Sequence, residues 1–131
     1  DRRNQYSLVC HNMKNLNYMY YLQSEETLEW DKLWKNFDEW NPLTLKLCIK
    51  GVENGNYQMT IQKINEKSGS IQDIWADLEY IQDLSDSEIK YLHRATVPRM
   101  IIRKFCVEDE CIEIELRMRP NEIGYINLEK M

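Results

Sequence analysis

The side chains best suited to bind a metal or attack an electrophile are four cysteines, Cys10, Cys48, Cys106 and Cys111, and two histidines, His11 and His93. A zinc site calls for ligands at short, repeated spacing such as Cys-x-x-Cys, and no such spacing occurs. Cys106 and Cys111 are separated by Val107-Glu108-Asp109-Glu110, which makes them either a cross-hairpin pair or two free thiols on adjacent strands. The expectation for all four is the reduced, structural cysteine of a cytoplasmic protein. Cys10 and His11 are consecutive, so on a strand they point to opposite faces and cannot work as nucleophile and base. His93 falls late in a predicted helix, where it complements the C-terminal dipole.

Carboxylates are abundant, but pairing them for catalysis is another matter. Glycoside cleavage needs two carboxyl groups facing each other across a cleft, roughly 5–9 Å apart. Asp73 and Asp77 lie one turn apart on a predicted helix, and Asp83 and Asp86 flank a helix start. Solvation and contact with helix N-termini are their expected roles. Ser68-Gly69-Ser70 lacks the Gly-x-Ser-x-Gly elbow of a serine hydrolase, and there is no glycine-rich phosphate loop. No residue is assigned as catalytic, cofactor-binding or metal-binding, and no cofactor is expected.

The unusual feature is an aromatic segment containing Tyr18, Tyr20, Tyr21, Trp30, Trp34, Phe37 and Trp40. Aromatic faces fill cores, anchor interfaces or stack on sugar rings. A core or intramolecular interface is the first expectation. A partner interface or sugar-stacking surface built from Trp30, Trp34, Phe37 and Trp40 is the alternative.

These residues sit in a chain of 131 residues, which suits a single domain over 1–131. With 43% hydrophobic and 30% charged residues it has a globular rather than disordered composition. A net charge of −5 argues against binding to nucleic acid. The basic residues Arg99, Arg103, Lys104, Arg117 and Arg119 lie in strand-like segments with acidic neighbours and read as a mixed solvated surface. No apolar run reaches the roughly 18–20 residues of a membrane helix, so no membrane association is expected. Asp1-Arg2-Arg3-Asn4-Gln5 does not lead into a signal peptide. A chain that opens on Asp rather than Met is read as a segment of a longer protein.

The elements that would position these groups follow from periodicity. Residues 5–11 read as a strand, residues 12–27 as a long loop, and Trp30, Leu33, Trp34 and Phe37 recur at helical spacing. Leu43, Leu45, Leu47 and Ile49 alternate with polar residues, Asn54-Gly55 supplies a tight turn, and Tyr57, Met59 and Ile61 resume the alternation. That pattern predicts a β-hairpin. Ser70 is placed to cap a helix with apolar Ile71, Ile74, Trp75 and Leu78; Ser85-Asp86-Ser87-Glu88 is a capping box for a second helix that stops near Pro98. Three further strands follow, about Met100–Val107, Ile112–Arg119 and Glu122–Leu128, joined by short turns. The expected fold class is mainly β, an antiparallel β-sandwich with two short helices between strands.

Several segments resemble the C-terminal β-sandwich of glycoside hydrolase family 39, the β-xylosidase-like enzymes. They are Gly69-Ser70-Ile71-Gln72-Asp73-Ile74-Trp75, Leu84-Ser85-Asp86-Ser87-Glu88-Ile89-Lys90-Tyr91-Leu92, Thr96-Val97-Pro98, the turn Asn54-Gly55-Asn56-Tyr57, and Arg119-Pro120-Asn121-Glu122-Ile123, where Asn121 replaces the family's usual His. The resemblance covers about residues 5–128 and is weakest at 18–40. In that family both catalytic glutamates belong to a (β/α)₈ barrel that this chain lacks, so no catalytic residue carries over. Tyr6 to Asn12 resembles the family's first strand, where the hydrolases usually carry Tyr-Asn-Tyr. A similar region occurs at the C-terminal end of AraC-type transcriptional regulators, and the departures at Cys10-His11-Asn12 and Asn121 lean toward that parent. The resemblance implies a non-catalytic accessory domain of a cytoplasmic protein whose partner is the barrel of the same chain, from a transcription regulator or from a β-xylosidase acting on xylo-oligosaccharides. A third reading is an independent carbohydrate-binding module.

Overall fold

The computed structural model describes residues 5–27 and 29–131, with the side chains of Glu25, Trp30, Asp31 and Leu33 also outside the described set. Among the described residues six strands form two layers: β1 (Gln5–His11), β2 (Leu43–Lys50), β3 (Gly55–Ile64), β4 (Met100–Val107), β5 (Cys111–Met118) and β6 (Ile123–Lys130). One layer is a four-stranded antiparallel sheet in the order β1-β6-β3-β4, and the other is the antiparallel pair β2-β5. The β-sandwich expected from the sequence is therefore present.

Period-two alternation sets the inward faces. Leu8 lies opposite Ile126, which lies opposite Ile61, so three strands present one apolar row. Leu47 lies opposite Ile114 in the second layer. Between the layers lie Tyr57, Met59, Ile61, Val107, Ile112, Ile114, Leu116, Met118, Ile126 and Leu128, all buried, with Leu45, Leu47 and Ile49 half-buried against them. The approach is close enough that a Cβ on Gly124 of β6 would meet Leu116 Cδ2 at 3.3 Å.

The predicted hairpin is absent. β2 pairs with β5, while β3 pairs with β4 and β6, so residues 51–54 carry the chain from one layer to the other. Alternation reports which face of a strand is buried and says nothing of its hydrogen-bonding neighbour. The corner is built around Val52, which is fully buried and donates its N–H to the Glu110 carbonyl at 3.1 Å. The Asn54 side chain accepts from the Glu110 N–H at 2.9 Å, bracing the neighbouring corner instead of closing a two-residue turn. The turns after β4 and β5 also change layer, each through a residue with positive φ, Glu110 (52°) and Asn121 (55°).

Two helices connect β3 to β4: α2 (Ile71–Asp77) and α3 (Asp86–Ala95); α1 is a single turn, Tyr18–Tyr21. Ser70 caps α2 and Ser85 with Glu88 forms the anticipated capping box. Thr96 ends α3 two residues before Pro98. The indole N–H of Trp75, one of the apolar residues of α2, donates to the Ile81 carbonyl at 3.0 Å and its ring meets Tyr80 edge-on at 5.3 Å, so it closes the loop after α2.

Candidate functional site

Two regions gather side chains with chemical potential. The first is a cleft of about 340 Å³ at the end of the sandwich where β3, the start of β4 and the β5–β6 corner converge. Lys63, Lys67, Arg99 and Arg119 line it together with Glu122. Sequence reasoning treated Arg99 and Arg119 as scattered surface cations; the sheet order brings them together because β3 is the neighbour of both β4 and β6.

Glu122 is 2% exposed, and one of its carboxylate oxygens lies 2.8 Å from Lys63 Nζ while the other accepts from Asn65 Nδ2 at 2.7 Å. Lys63 also donates to the Arg117 carbonyl at 2.6 Å, which ties β3 to the opposite layer. Arg119 is paired with the exposed Glu66. The Glu122 and Glu66 carboxylates are thus both engaged with cations of the cleft. The arrangement suits a structural strut and an anion-tolerant surface, and it lacks a pair of carboxyl groups facing across open space.

The second region is the aromatic segment. It folds back on itself: Leu16 bridges Phe37, Asn17 N–H donates to the Asn36 carbonyl at 2.7 Å, and Asp38 N–H to the Asn15 carbonyl at 3.1 Å. The predicted helix over Trp30–Phe37 is a run of 3₁₀ turns across Trp30–Asn36, interrupted at Lys32 (φ −120°, ψ 20°). Phe37 packs on Trp40 with ring centroids 5.0 Å apart, and Lys35 Nζ lies 5.7 Å from the centre of the Trp34 ring. Trp34 and Trp40 are 49% and 42% exposed, and none of the described aromatics of this segment belongs to the sandwich core. The expectation of a core role is corrected accordingly, because the segment supplies its own small platform. The side chain of Trp30 lies outside the described residues.

Sequence reasoning missed the residue that holds this platform to the sandwich. Asn12 is 5% exposed and its side-chain amide donates to the carbonyls of Arg119 (2.9 Å), Asn41 (3.3 Å) and Met118 (3.4 Å). Its backbone N–H donates to the Glu122 carbonyl at 3.0 Å and its own carbonyl accepts from Asn121 N–H at 2.8 Å. Asn12 thereby joins both ends of the insertion to the β5–β6 corner. A polar residue straight after a strand was the one signal the sequence offered.

Of the other predicted groups, Cys48 and Cys111 come together and the rest stay apart. Cys10 is half-buried toward the core and His11 is exposed, as strand geometry requires. His93 is exposed in the last turn of α3. Cys106 and Cys111 lie in different layers and are not partners across a hairpin; Cys111 instead sits beside Cys48, with the sulfurs 3.0 Å apart. No described helix is long and apolar enough to cross a membrane.

No protein-family model matches the sequence, and no curated protein matches it at a significant level. Solved structures do match in fold. The GH39 enzyme from Xanthomonas axonopodis pv. citri superposes with a TM-score of 0.71 at 18% identity, over 98% of this chain and 24% of its own. A monomeric β-xylosidase from Caulobacter crescentus CB15 gives 0.70 at 16% identity, over 100% of this chain and 25% of its own. A bacterial orthologue of human α-L-iduronidase gives 0.55 at 12% identity over 72% of this chain and 18% of its own. The chain therefore spans about a quarter of the length of the first two. At these identities the likeness is one of fold.

Proposed function

We propose that this chain is a non-catalytic accessory β-sandwich of a larger protein, docked against a (β/α)₈ barrel of the same polypeptide. The observation that carries the reading is the apolar surface of the helical crossover and the edge strand it leads into. Ile71, Tyr91, Val97, Met100 and Ile102 are each more than half exposed. Exposed apolar groups in such number mark an interaction surface. The solved neighbours support a barrel as the occupant, since this fold accounts for only about a quarter of each of their chains.

A hydrolase of β-xylosidase type is the parent we favour, and an AraC-type regulator is the second reading. The regulator was suggested by departures at Asn12 and Asn121. Asn12 has a local explanation in its three carbonyl partners. Asn121 adopts a positive φ, which Asn tolerates better than most residues. Neither departure then argues for one parent over the other, and the hydrolase reading rests on the structural neighbours.

The test uses the full-length protein. Val97→Asp combined with Ile102→Lys should loosen the interface, seen as faster proteolysis between the domains, while leaving the sandwich folded because both residues are exposed. A double variant as resistant as the wild type would count against docking through this face. Hydrolysis of an aryl xyloside by the full-length protein supports the hydrolase parent; a basic helix-turn-helix region with no such hydrolysis supports the regulator. A xylo-oligosaccharide bound by this chain alone, and lost in Trp34→Ala, would favour an independent sugar-binding module instead.

A further inference from the structure

The outward face of the second layer carries a pair of thiols that the docking role leaves unused. In β2 the residues facing solvent include Lys46, Cys48 and Lys50; in β5 they include Cys111, Glu113 and Glu115. Cys48 lies opposite Glu113, and Lys50 opposite Cys111, so the two cysteines are diagonal neighbours across the ladder. Their sulfurs are 3.0 Å apart although they are 63 residues apart in sequence.

The number of donors at hand selects among the things two thiols can do. Glu113 completes a group of three donor atoms all within 4.8 Å of one another. Two sulfurs on one tetrahedral zinc, each about 2.3 Å from the metal, stand roughly 3.8 Å apart, and a closed site needs a fourth ligand. The three donors gathered here are one short of a closed zinc site, whereas a disulfide needs only the two sulfurs, which about 1 Å of approach brings from 3.0 Å to the bond length of roughly 2.05 Å. A hydrogen bond with Cys48, and after it burial, push the Cys111 thiol above its ordinary pKa.

We propose that Cys48 and Cys111 are a redox modification site, which a low-molecular-weight disulfide of the glutathione class converts to an interstrand disulfide joining β2 to β5. The exposed Cys48 loses its proton and attacks the small disulfide. One small thiolate leaves and takes up a proton as a mixed disulfide forms on Cys48. Cys111 then loses its proton and attacks the Cys48 sulfur, expelling the second small thiol. One sulfur–sulfur bond breaks and one forms; the two cysteines are oxidised and the small disulfide is reduced to two thiols. The product would clasp the two strands of a layer in which, among the described residues, each has only the other as a partner.

The experiment incubates the intact protein with oxidised glutathione and follows thiols, mass and digestion products. Two thiols should disappear, the mass should fall by two hydrogens, and one linked peptide should contain Cys48 and Cys111. The thermal midpoint should rise by roughly 5–15 °C and return on reduction. Cys48→Ser and Cys111→Ser should each remove the linked peptide and the shift. Retention of all four thiols, a linkage through Cys10 or Cys106, or a glutathione adduct on Cys48 that Cys111 does not displace would overturn the proposal. The peptide map is read on the wild type, so it decides the matter even if a serine variant folds poorly.

Discussion

The Glu122 carboxylate is buried with Lys63 Nζ 2.8 Å away, and this pair fastens the start of β6 to the end of β3. Lys63 is itself 24% exposed on its side chain, so the pair sits at the lip of the cleft and not in its dry interior. Glu122→Ala would strand the Lys63 ammonium and the Asn65 amide. We expect a loss of about 2–3 kcal/mol, below the roughly 3–5 kcal/mol typical of fully buried pairs because water reaches Lys63. Glu122→Gln should cost less, and adding Lys63→Met to it should recover part of the loss; urea unfolding of the double-mutant cycle measures the coupling.

Asn12→Ala should destabilise the chain by about 1–3 kcal/mol, because the Met118 carbonyl and the partly buried Arg119 and Asn41 carbonyls lose a donor. The effect should also be local. With its tie to the Arg119 and Asn41 carbonyls gone, residues 13–40 should be cut by protease sooner than the strands. Equal cleavage rates for wild type and variant would remove Asn12 from this role.

Ser85→Ala should cost about 1 kcal/mol through loss of the α3 N-cap. The same cap predicts a pH effect. Hydrogen bonds from the Ser85 hydroxyl and backbone N–H hold the Glu88 carboxyl below its usual pKa. A carboxylate depressed in the folded state contributes stability that is fully present above the ordinary carboxylate range and is lost as pH falls through the lower folded value. Glu88→Gln should therefore show a shallower loss of stability between neutral and acidic pH than the wild type, in denaturant midpoints taken across that window.

Gly69→Ala should destabilise by about 1–2 kcal/mol. Gly69 has φ +80°, and a Cβ there would meet Pro98 Cγ at 3.1 Å and Ile64 Cγ1 at 3.2 Å. Gly51→Ala is the control, since it shares a positive φ but has open space around it. A thermal midpoint lowered equally in both would assign the cost to backbone conformation alone.

Trp34→Ala should leave the unfolding midpoint nearly unchanged, within about 0.5 kcal/mol, because the ring is half exposed and outside the core. A large loss would show that the aromatic platform supports the sandwich after all.

Local signals were legible and pairings were not. The limits of β1, β2 and β4, the Ser85–Glu88 capping box and the stop before Pro98 depend on near neighbours in sequence, where alternation and capping rules act. Partners of β2 depend on which apolar face meets which across the sandwich, and Leu45 and Leu47 would satisfy a hairpin with Tyr57 and Met59 as well as a ladder with Leu116 and Ile114. Of the candidate site, the exposed aromatics were visible as residue types. The cleft was not, because Lys63, Arg99 and Arg119 come from three segments that only the sheet order unites.

β6, the last strand, lies in the middle of its sheet, between β1 and β3. Even the pairing closest in sequence, β3 with β4, has residues 65–99 between its strands. As the polypeptide leaves the ribosome, β1 has no ladder to join until residues 123–130 are made. Such non-local closure places folding on the slow, millisecond-to-second side of the range, and it leaves β1 in need of protection from other chains until residues 123–130 are made.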